Sequence, residues 1–214
     1  MPKQVDHEER RVEIIEALFR IVARDGLAAA TIRAVAAEAG VPAPQVQYYF
    51  GTKAHLLNGA LELLGRHVVQ RGLALMREAG DDPAPEALLR AALTGSHPID
   101  EESRHDLILF FCFYVAAVTE PSMSETGLPV SQRWITEYFA QLIRDAQERG
   151  ETSPDIDPDH EARLILFANT GLILGVLVGV HSLDEATSAL EYHLGRVFRG
   201  PEPAARKKMK RAHR

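Results

Sequence analysis

Residues 31–53 read TIRAVAAEAGVPAPQVQYYFGTK, and this stretch decides the fold class. Apolar and small residues spaced three and four apart predict a short helix over 31–39 and another over 42–50. Thr31 is a typical N-cap residue, and Gly40 suits the left-handed conformation that ends many helices. The prolines at the start of the second helix are compatible with it, because first-turn amides have no acceptor inside a helix. The stretch therefore predicts two short helices joined by a tight turn.

Two short helices this close together form the pattern of a helix-turn-helix. Their crossing needs a small residue at the contact, a permissive turn and an apolar anchor under the second helix, and Ala36, Gly40 and Val46 meet these needs. With Val46 turned inward, the opposite edge of the second helix carries short or amide side chains that can approach base edges in a major groove. We expect this edge to consist of Ala43, Pro44, Gln45 and Gln47.

The rest of the chain predicts an all-α protein of about nine helices. Spacings of three and four recur almost everywhere, and alternating runs that end in tight-turn dipeptides are lacking. Asp6 and Glu9 predict the start of the first helix, which Asp25-Gly26 ends. We expect the later helices from Thr52 into the seventies and over about 85–95, 101–119, 128–149, 158–180 and 184–199.

Charge is distributed unevenly along the chain, whose formal net charge is −6. Residues 1–55 carry seven basic and seven acidic groups, whereas 56–205 carry a net charge of −12. An acidic body is repelled by phosphate, so it fits a protein that touches nucleic acid only through its head. We therefore predict a DNA-binding domain at 1–55, a body at 56–200 and a basic, disordered tail at 201–214.

Several function classes find little support in the sequence. The nine histidines are scattered, and there is no zinc-binding helix motif, phosphate-binding loop or nucleophile elbow. Cys112 is the only cysteine, so no intrachain disulfide can form. The charged N-terminus lacks the apolar stretch of a signal peptide. We expect no enzymatic activity, cofactor or metal, and a cytoplasmic, nucleoid-associated protein, with a helical enzyme as an alternative.

One segment resembles a membrane span. Residues 164–180 read LILFANTGLILGVLVGV and carry no formal charge. A spanning helix needs about twenty apolar residues, and Asn169 and Thr170 interrupt this shorter segment. A buried helix of a soluble protein is the favoured interpretation, and a single-pass membrane-associated protein is the alternative.

From Ile14 through Leu57 the chain resembles the TetR family of transcriptional regulators. The resemblance is strongest in TIRAVAAEAGV at 31–41 and VQYYFGTK at 46–53. The latter, with GLILGVLVG near the C-terminus, is most similar to the BetI-like branch. The resemblance implies a homodimer with a three-helix head and a helical body that binds a small-molecule effector. It further implies a repressor that the effector releases from a palindromic operator by pivoting the fourth helix.

The resemblance also implies roles for single residues. Thr31 would meet a backbone phosphate, and Arg33 a phosphate or a guanine edge. Gln47 stands where the family commonly has a DNA-contacting tyrosine, and Pro42 where a serine is common, so we expect a different operator sequence. Tyr48, Tyr49 and Lys53 are expected to bind backbone phosphates. For the two tyrosines, the alternative is packing against the first and fourth helices.

The body should contain an effector cavity. Residues 110–114 place aromatic rings on all sides of one helix, which predicts a central helix. Each candidate alone also fits an ordinary core position, and it is the family resemblance that implies a cavity. The candidate lining residues are His67, Met76, Phe110, Phe113, Tyr114, Trp134, Tyr138 and Asn169.

Three glycines at intervals of four residues, Gly171, Gly175 and Gly179, suggest a close helix contact. Glycine costs a helix about 1 kcal/mol relative to alanine, so a compensating contact is expected. We predict a four-helix dimer seam that sets two recognition helices about 34 Å apart, with packing inside one chain as the alternative. The expected seam residues are Phe167, Gly171, Leu172, Gly175, Val178, Leu190, Leu194, Val197 and Phe198.

Overall fold

The computed structural model describes residues 2–78, 80, 82–119 and 127–198, and this part of the chain contains nine α-helices, one short 3-10 helix and no strand. The predicted all-α class is confirmed. The basic tail predicted at 201–214 lies outside the described residues. In chain order the helices are α1 (Pro2–Asp25), α2 (Ile32–Glu38), α3 (Ala43–Phe50), α4 (Lys53–Glu78), α5 (Pro85–Thr94), α6 (Glu101–Thr119), α7 (Gly127–Glu148), α8 (Pro158–Leu177) and α9 (Leu183–Val197).

The helix ends follow local capping chemistry. The Thr31 hydroxyl accepts a hydrogen bond from Ala34 N at 3.1 Å, which caps α2, and Gly40 follows α2 with φ +67°. The prediction for the start of α1 is wrong: the helix begins at Pro2, because proline is favoured in a first helical turn, so Asp6 lies inside it. Helix α8 ends at Leu177, before the predicted 180, since the chain turns there through a glycine with positive φ.

One apolar core joins the three-helix head to the body. Val46 and Leu18 are fully buried in it, together with the apolar faces of α1, α2 and the first half of α4. Helix α6 of the body adds Leu109 and Phe113 to the same core, and the Phe113 ring meets Phe19 edge to face at 6.4 Å. The head therefore rests directly on α6.

A second core lies within the body, between α5, α7, α8 and α9. It corrects part of the predicted dimer seam, because α9 packs its apolar stripe against α8 of its own chain. A stripe of buried leucines shows that a helix face is covered but not which helix covers it. The predicted seam residues that are buried in this core are Leu190, Leu194, Val197 and Phe198, each at most 8% exposed.

Helix α8 has two apolar faces, only one of which is buried. Ile165 and Ile173 are in the second core, whereas Leu164, Phe167 and Val178 are 60%, 53% and 65% exposed. The helix is long and apolar enough to cross a membrane, and 28% of its most apolar window is buried in the protein. The predicted burial of this helix is thus seen on one of its two faces.

The three glycines of this region have separate roles. A Cβ at Gly175 would clash with the ring of His181, whose Nε2 lies 2.8 Å from Leu172 O, so Gly175 serves packing inside the chain. Gly179 has φ +77° and terminates the helix. Gly171 is exposed within the helix, and no described atom lies within 4 Å of where its Cβ would be, so it is free for a contact with a partner.

Candidate DNA-binding edge and ligand cavity

Helix α3 is anchored by its inner side. Val46 and Phe50 are 0% and 4% exposed, which turns the opposite edge of the helix outward. Gln47 is exposed and Tyr48 is 76% exposed, so neither side chain packs inside the head. On the rest of the predicted edge, Pro44 is exposed, and Ala43, Gln45 and Tyr49 are half-buried. This arrangement leaves amide and phenol groups available to a groove of duplex DNA.

Two predicted DNA contacts are basic side chains that have no partner in the described part of the chain. Arg33 is exposed near the start of α2, and Lys53 is half-buried at the first position of α4. Within the described residues neither makes an ion pair or a hydrogen bond. A lysine at a helix N-terminus is disfavoured by the helix dipole, so a phosphate there would relieve it. Thr31 is also exposed, and its hydroxyl proton is free to be donated.

Two other cations of the head already have a carboxylate partner. The guanidinium groups of Arg20 and Arg24 both bind Glu38, at 2.9 and 3.2 Å. These hydrogen bonds, that from Arg20 first, hold the pKa of Glu38 below its ordinary value. The cluster ties α1 to the end of α2 and leaves Arg33 and Lys53 as better candidates for phosphate contact.

The sequence analysis missed two residues that support the recognition helix. Arg11 Nη1 donates to Tyr49 O at 2.9 Å, and its guanidinium lies 4.6 Å from the centroid of the Phe50 ring. The His7 ring lies 4.5 Å from the ring of Tyr49, which in turn contacts Tyr48 edge to face. The Arg11 contact joins residues 38 positions apart, so no helical spacing could have indicated it.

A cavity of about 210 Å³ lies in the body between α4, α5, α6, α7 and α8. Its walls are mostly aliphatic and aromatic, including Leu64, Val68 and Phe111. Such walls are typical of small-molecule sites. Of the residues suggested from the sequence, those that line it are Phe110, Trp134 and Asn169.

The structure does not bring the other candidates to this cavity. Phe113 is fully buried in the head core, and Tyr114 packs against the same core, because α6 turns these rings towards α1. Tyr138 stacks on Trp134 at 5.8 Å and packs against the body core. His67 lies in a separate surface pocket, and Met76 is half-buried near the end of α4.

One polar corner of the cavity is a chain of hydrogen bonds. His97 Nε2 lies 3.2 Å from Asn169 Oδ1, Asn169 Nδ2 donates to Ser96 Oγ at 3.0 Å, and Ser96 Oγ donates to Leu93 O at 2.7 Å. The direction of these donations assigns the His97 proton to Nε2. The second N–H of the Asn169 amide takes part in none of these hydrogen bonds. Burial lowers the pKa of His97, and the bond to Asn169 opposes this only in part.

The buried His97 should make stability depend on pH. Its ordinary pKa is 6.5 and the folded value is lower, so below 6.5 the unfolded chain binds the proton first and the fold loses stability. We expect the free energy of unfolding of the wild type to fall between about pH 7 and pH 5.5, by at most about 1.4 kcal/mol per pH unit from this group. His97→Gln, which keeps a donor and does not titrate, should flatten the slope in urea denaturation. Equal slopes would show that His97 is not responsible.

The second polar corner is an ion-pair cluster between α4 and α6. Asp106, 6% exposed, accepts at Oδ2 from Arg71 Nη1 at 2.9 Å, and His67 Nδ1 lies 3.1 Å from the same oxygen. Arg71 Nε also donates to Gly95 O at 3.1 Å. In the described part of the chain, Arg71 Nη2 is the one buried side-chain nitrogen or oxygen without a hydrogen-bond partner. The sequence analysis did not identify Arg71 or Asp106, since 35 positions separate them.

Comparison with family models gives two matches. Residues 14–60 match the model for bacterial regulatory proteins of the tetR family. Residues 85–199, more than half of the chain, match the model for the C-terminal part of BetI-type transcriptional repressors.

Individual proteins give the same result. The chain is 29% identical over 178 residues to the HTH-type transcriptional regulator PksA of Bacillus subtilis (strain 168), covering 83% of each chain. A crystal structure described as a TetR-family transcriptional regulator from Rhodococcus sp. is 25% identical, with a TM-score of 0.78, and the match covers 89% of this chain and 99% of that one. The multidrug binding protein EbrR, solved in complex with imidazole, is 27% identical, with a TM-score of 0.64 and 92% of each chain covered.

Proposed function

This chain belongs to the TetR family of transcriptional regulators, with a BetI-type C-terminal domain, and from this premise we propose that it represses transcription until a small molecule releases it from its operator. We further propose that it acts in the cytoplasm as a homodimer, without catalytic activity, a cofactor or a membrane. In this proposal the DNA-binding head comprises residues 1–55, and the effector-binding and dimerisation domain comprises 56–200.

The observation that carries this proposal is the path of α4. It begins at Lys53 on the DNA-facing side and continues unbroken to Glu78, while Leu64, Gly65 and Val68 form part of the cavity wall. A helix of this length spans about 39 Å at 1.5 Å per residue, so the head and the cavity share one rigid element. A ligand that alters the wall can therefore alter the position of the head.

The exposed face of α8 supports a dimer. Leu164, Phe167, Gly171, Leu174 and Val178 follow one another at intervals of three and four residues, and all five are exposed in the single chain. Such a stripe is the pattern of a helix that packs against a partner helix. Predicted seam residues Phe167, Gly171 and Val178 belong to it.

Two further observations refine this seam. Leu172 packs against the body core of its own chain, so we leave it out of the interface. On the neighbouring helix α9, Tyr192 is 70% exposed and its ring lies 5.9 Å from the guanidinium carbon of Arg196. We propose that α8 and α9 of two chains form a four-helix interface centred on the α8 stripe.

Release from DNA follows from binding linkage. A ligand shifts the protein between two dimer shapes only by as much as its affinities for them differ. Binding between α4 and α6 would favour the shape in which the heads no longer match two half-sites about 34 Å apart. The crystal structure of EbrR with imidazole supports the expectation that a body of this fold accepts small organic ligands.

Operator binding tests the proposal directly. The probe is a fluorescent duplex that carries the near-palindrome upstream of the regulated gene, with a scrambled duplex as the control. We expect tighter binding to the palindrome and a logarithm of affinity that falls linearly with the logarithm of salt concentration, since phosphate contacts release counterions. Equal affinity for the two duplexes at every salt concentration would refute the proposed function.

A further inference from the structure

The body cavity contains one ionisable side chain among its described lining residues. That residue is Asp106, and the remaining walls are aliphatic, aromatic or uncharged polar groups. Four aromatic rings, those of Phe110, Phe111, Trp134 and Phe139, also line the cavity. A carboxylate beside aromatic rings would ordinarily favour an organic cation, through ion pairing and cation–π attraction.

The surroundings of Asp106 change this expectation. Its Oδ2 already lies 2.9 Å from Arg71 Nη1, and the side chains of Asp106 and Arg71 are 8% and 20% exposed. The Arg71–Asp106 pair therefore carries no net charge. A cationic ligand beside Asp106 would be repelled by the nearby guanidinium as well as attracted by the carboxylate, and it would lose its own hydration without a compensating net charge.

Separating this pair to free the carboxylate would also be unfavourable. Removing one partner of a buried ion pair leaves an uncompensated charge, which is strongly destabilising. Arg71 is further held by its hydrogen bond to Gly95 O, between α4 and the turn after α5. The ion pair is thus fixed in place, and Asp106 is its member in the cavity wall.

The other polar groups of the cavity include the amide of Gln132, the indole N–H of Trp134, and three side chains whose hydrogen bonds are partly made within the protein. Ser96 Oγ donates to Leu93 O and accepts from Asn169, and Thr170 Oγ1 donates to Leu166 O at 2.8 Å. The Asn169 amide keeps one N–H without a partner among these contacts. A ligand that brings an oxygen acceptor would satisfy this N–H.

We propose that the cavity selects uncharged, predominantly apolar molecules with an oxygen acceptor, and that the Arg71–Asp106 pair sets this selectivity by cancelling the charge of the wall. The proposal rests on the proposed function in that it names the chemical class of the effector. Arg71 acts here as a positioning and charge-compensating residue for Asp106.

Three probes of nearly equal shape test the selectivity. Choline is cationic, 3,3-dimethylbutan-1-ol is neutral, and 3,3-dimethylbutanoate is anionic. Their affinities for the full-length protein without DNA can be measured by ligand-observed NMR titration. We expect the neutral alcohol to bind most tightly to the wild type. Tighter binding of choline to the wild type would overturn the proposal.

Variants of the pair should shift the preference in opposite directions. Arg71→Met leaves the carboxylate without its cation and should raise the affinity ratio of choline to the alcohol about tenfold. Asp106→Asn leaves the guanidinium without its anion and should raise the affinity ratio of the butanoate to the alcohol about tenfold. Arg71→Lys keeps the charge and is the matched control, which should retain the wild-type order. Asp106→Asn provides the test if Arg71→Met does not fold. A folded variant whose preference does not move would contradict the role of the pair.

Operator binding separates this proposal from the proposed function. Operator binding by the wild type without ligand is therefore measured alongside the probe titrations. If the wild type binds its operator while choline is preferred over the alcohol, only the selectivity proposal fails. If no operator preference is found while the alcohol is preferred, only the proposed function fails.

Discussion

Replacing Arg33 and Lys53 together by alanine is expected to weaken operator binding by about a hundredfold or more. Each side chain lacks a partner in the described protein, so each is available to DNA, and an interaction of this kind contributes about 1–3 kcal/mol. The slope of log affinity against log salt should also become shallower by about one for each phosphate that the variant can no longer bind. Fluorescence anisotropy at several salt concentrations measures both quantities.

The control for this variant removes the same charge elsewhere. Arg77 and Arg133 are exposed on α4 and α7, away from the head core, and their double alanine variant should bind the operator nearly as the wild type does. Far-ultraviolet circular dichroism should show unchanged helicity for both double variants. If the double variant of Arg33 and Lys53 binds the operator as the wild type does, these residues do not contact DNA.

Placing charge in the α8 stripe should convert the dimer into monomers. In the single chain, Phe167 and Leu174 are 53% and 44% exposed, so their replacement by arginine does not disturb the chain's own core. In a dimer the arginines would be buried without partners, which is strongly unfavourable. Light scattering after size-exclusion chromatography should give about one chain mass, 23.6 kDa, in place of two. Operator affinity should fall by at least about a hundredfold, because the second head loses its high effective concentration.

The matched substitution lies outside the stripe. Ile99 is 60% exposed in the turn before α6, and Ile99→Arg should leave both the mass and operator binding unchanged. A Phe167→Arg, Leu174→Arg variant that remains dimeric would place the interface elsewhere on the protein.

The features that sequence analysis predicted correctly are those that neighbouring residues determine. The Thr31 cap is satisfied three residues later at Ala34, and the turn at Gly40 depends on its own backbone. The orientation of Val46 follows from the spacing within one short helix. These signals are local, so a single sequence contains them.

The features that it missed depend on which helix lies next to which. The aromatic run on α6 indicated a central helix, but the spacing could not show that Phe113 faces Phe19 of α1. The Leu190 stripe on α9 indicated a covered face, and burial by its own chain gives the same pattern as burial by a partner. The Arg71–Asp106 pair joins two helices that are distant in sequence. Long-range contacts of this kind come from the tertiary fold alone.

The packing of Phe113 and Leu109 beneath the head limits how regulators of this build can be recombined. Consider a chimera that joins the head of this protein to the body of another regulator. Its head core would lack Leu109 and Phe113, which the native body supplies. Their replacements, shaped for a different neighbour, would leave voids or overlaps at the junction. To redirect such a protein to new promoters, it is better to exchange only the exposed residues of α3 and to keep the native contact between head and body.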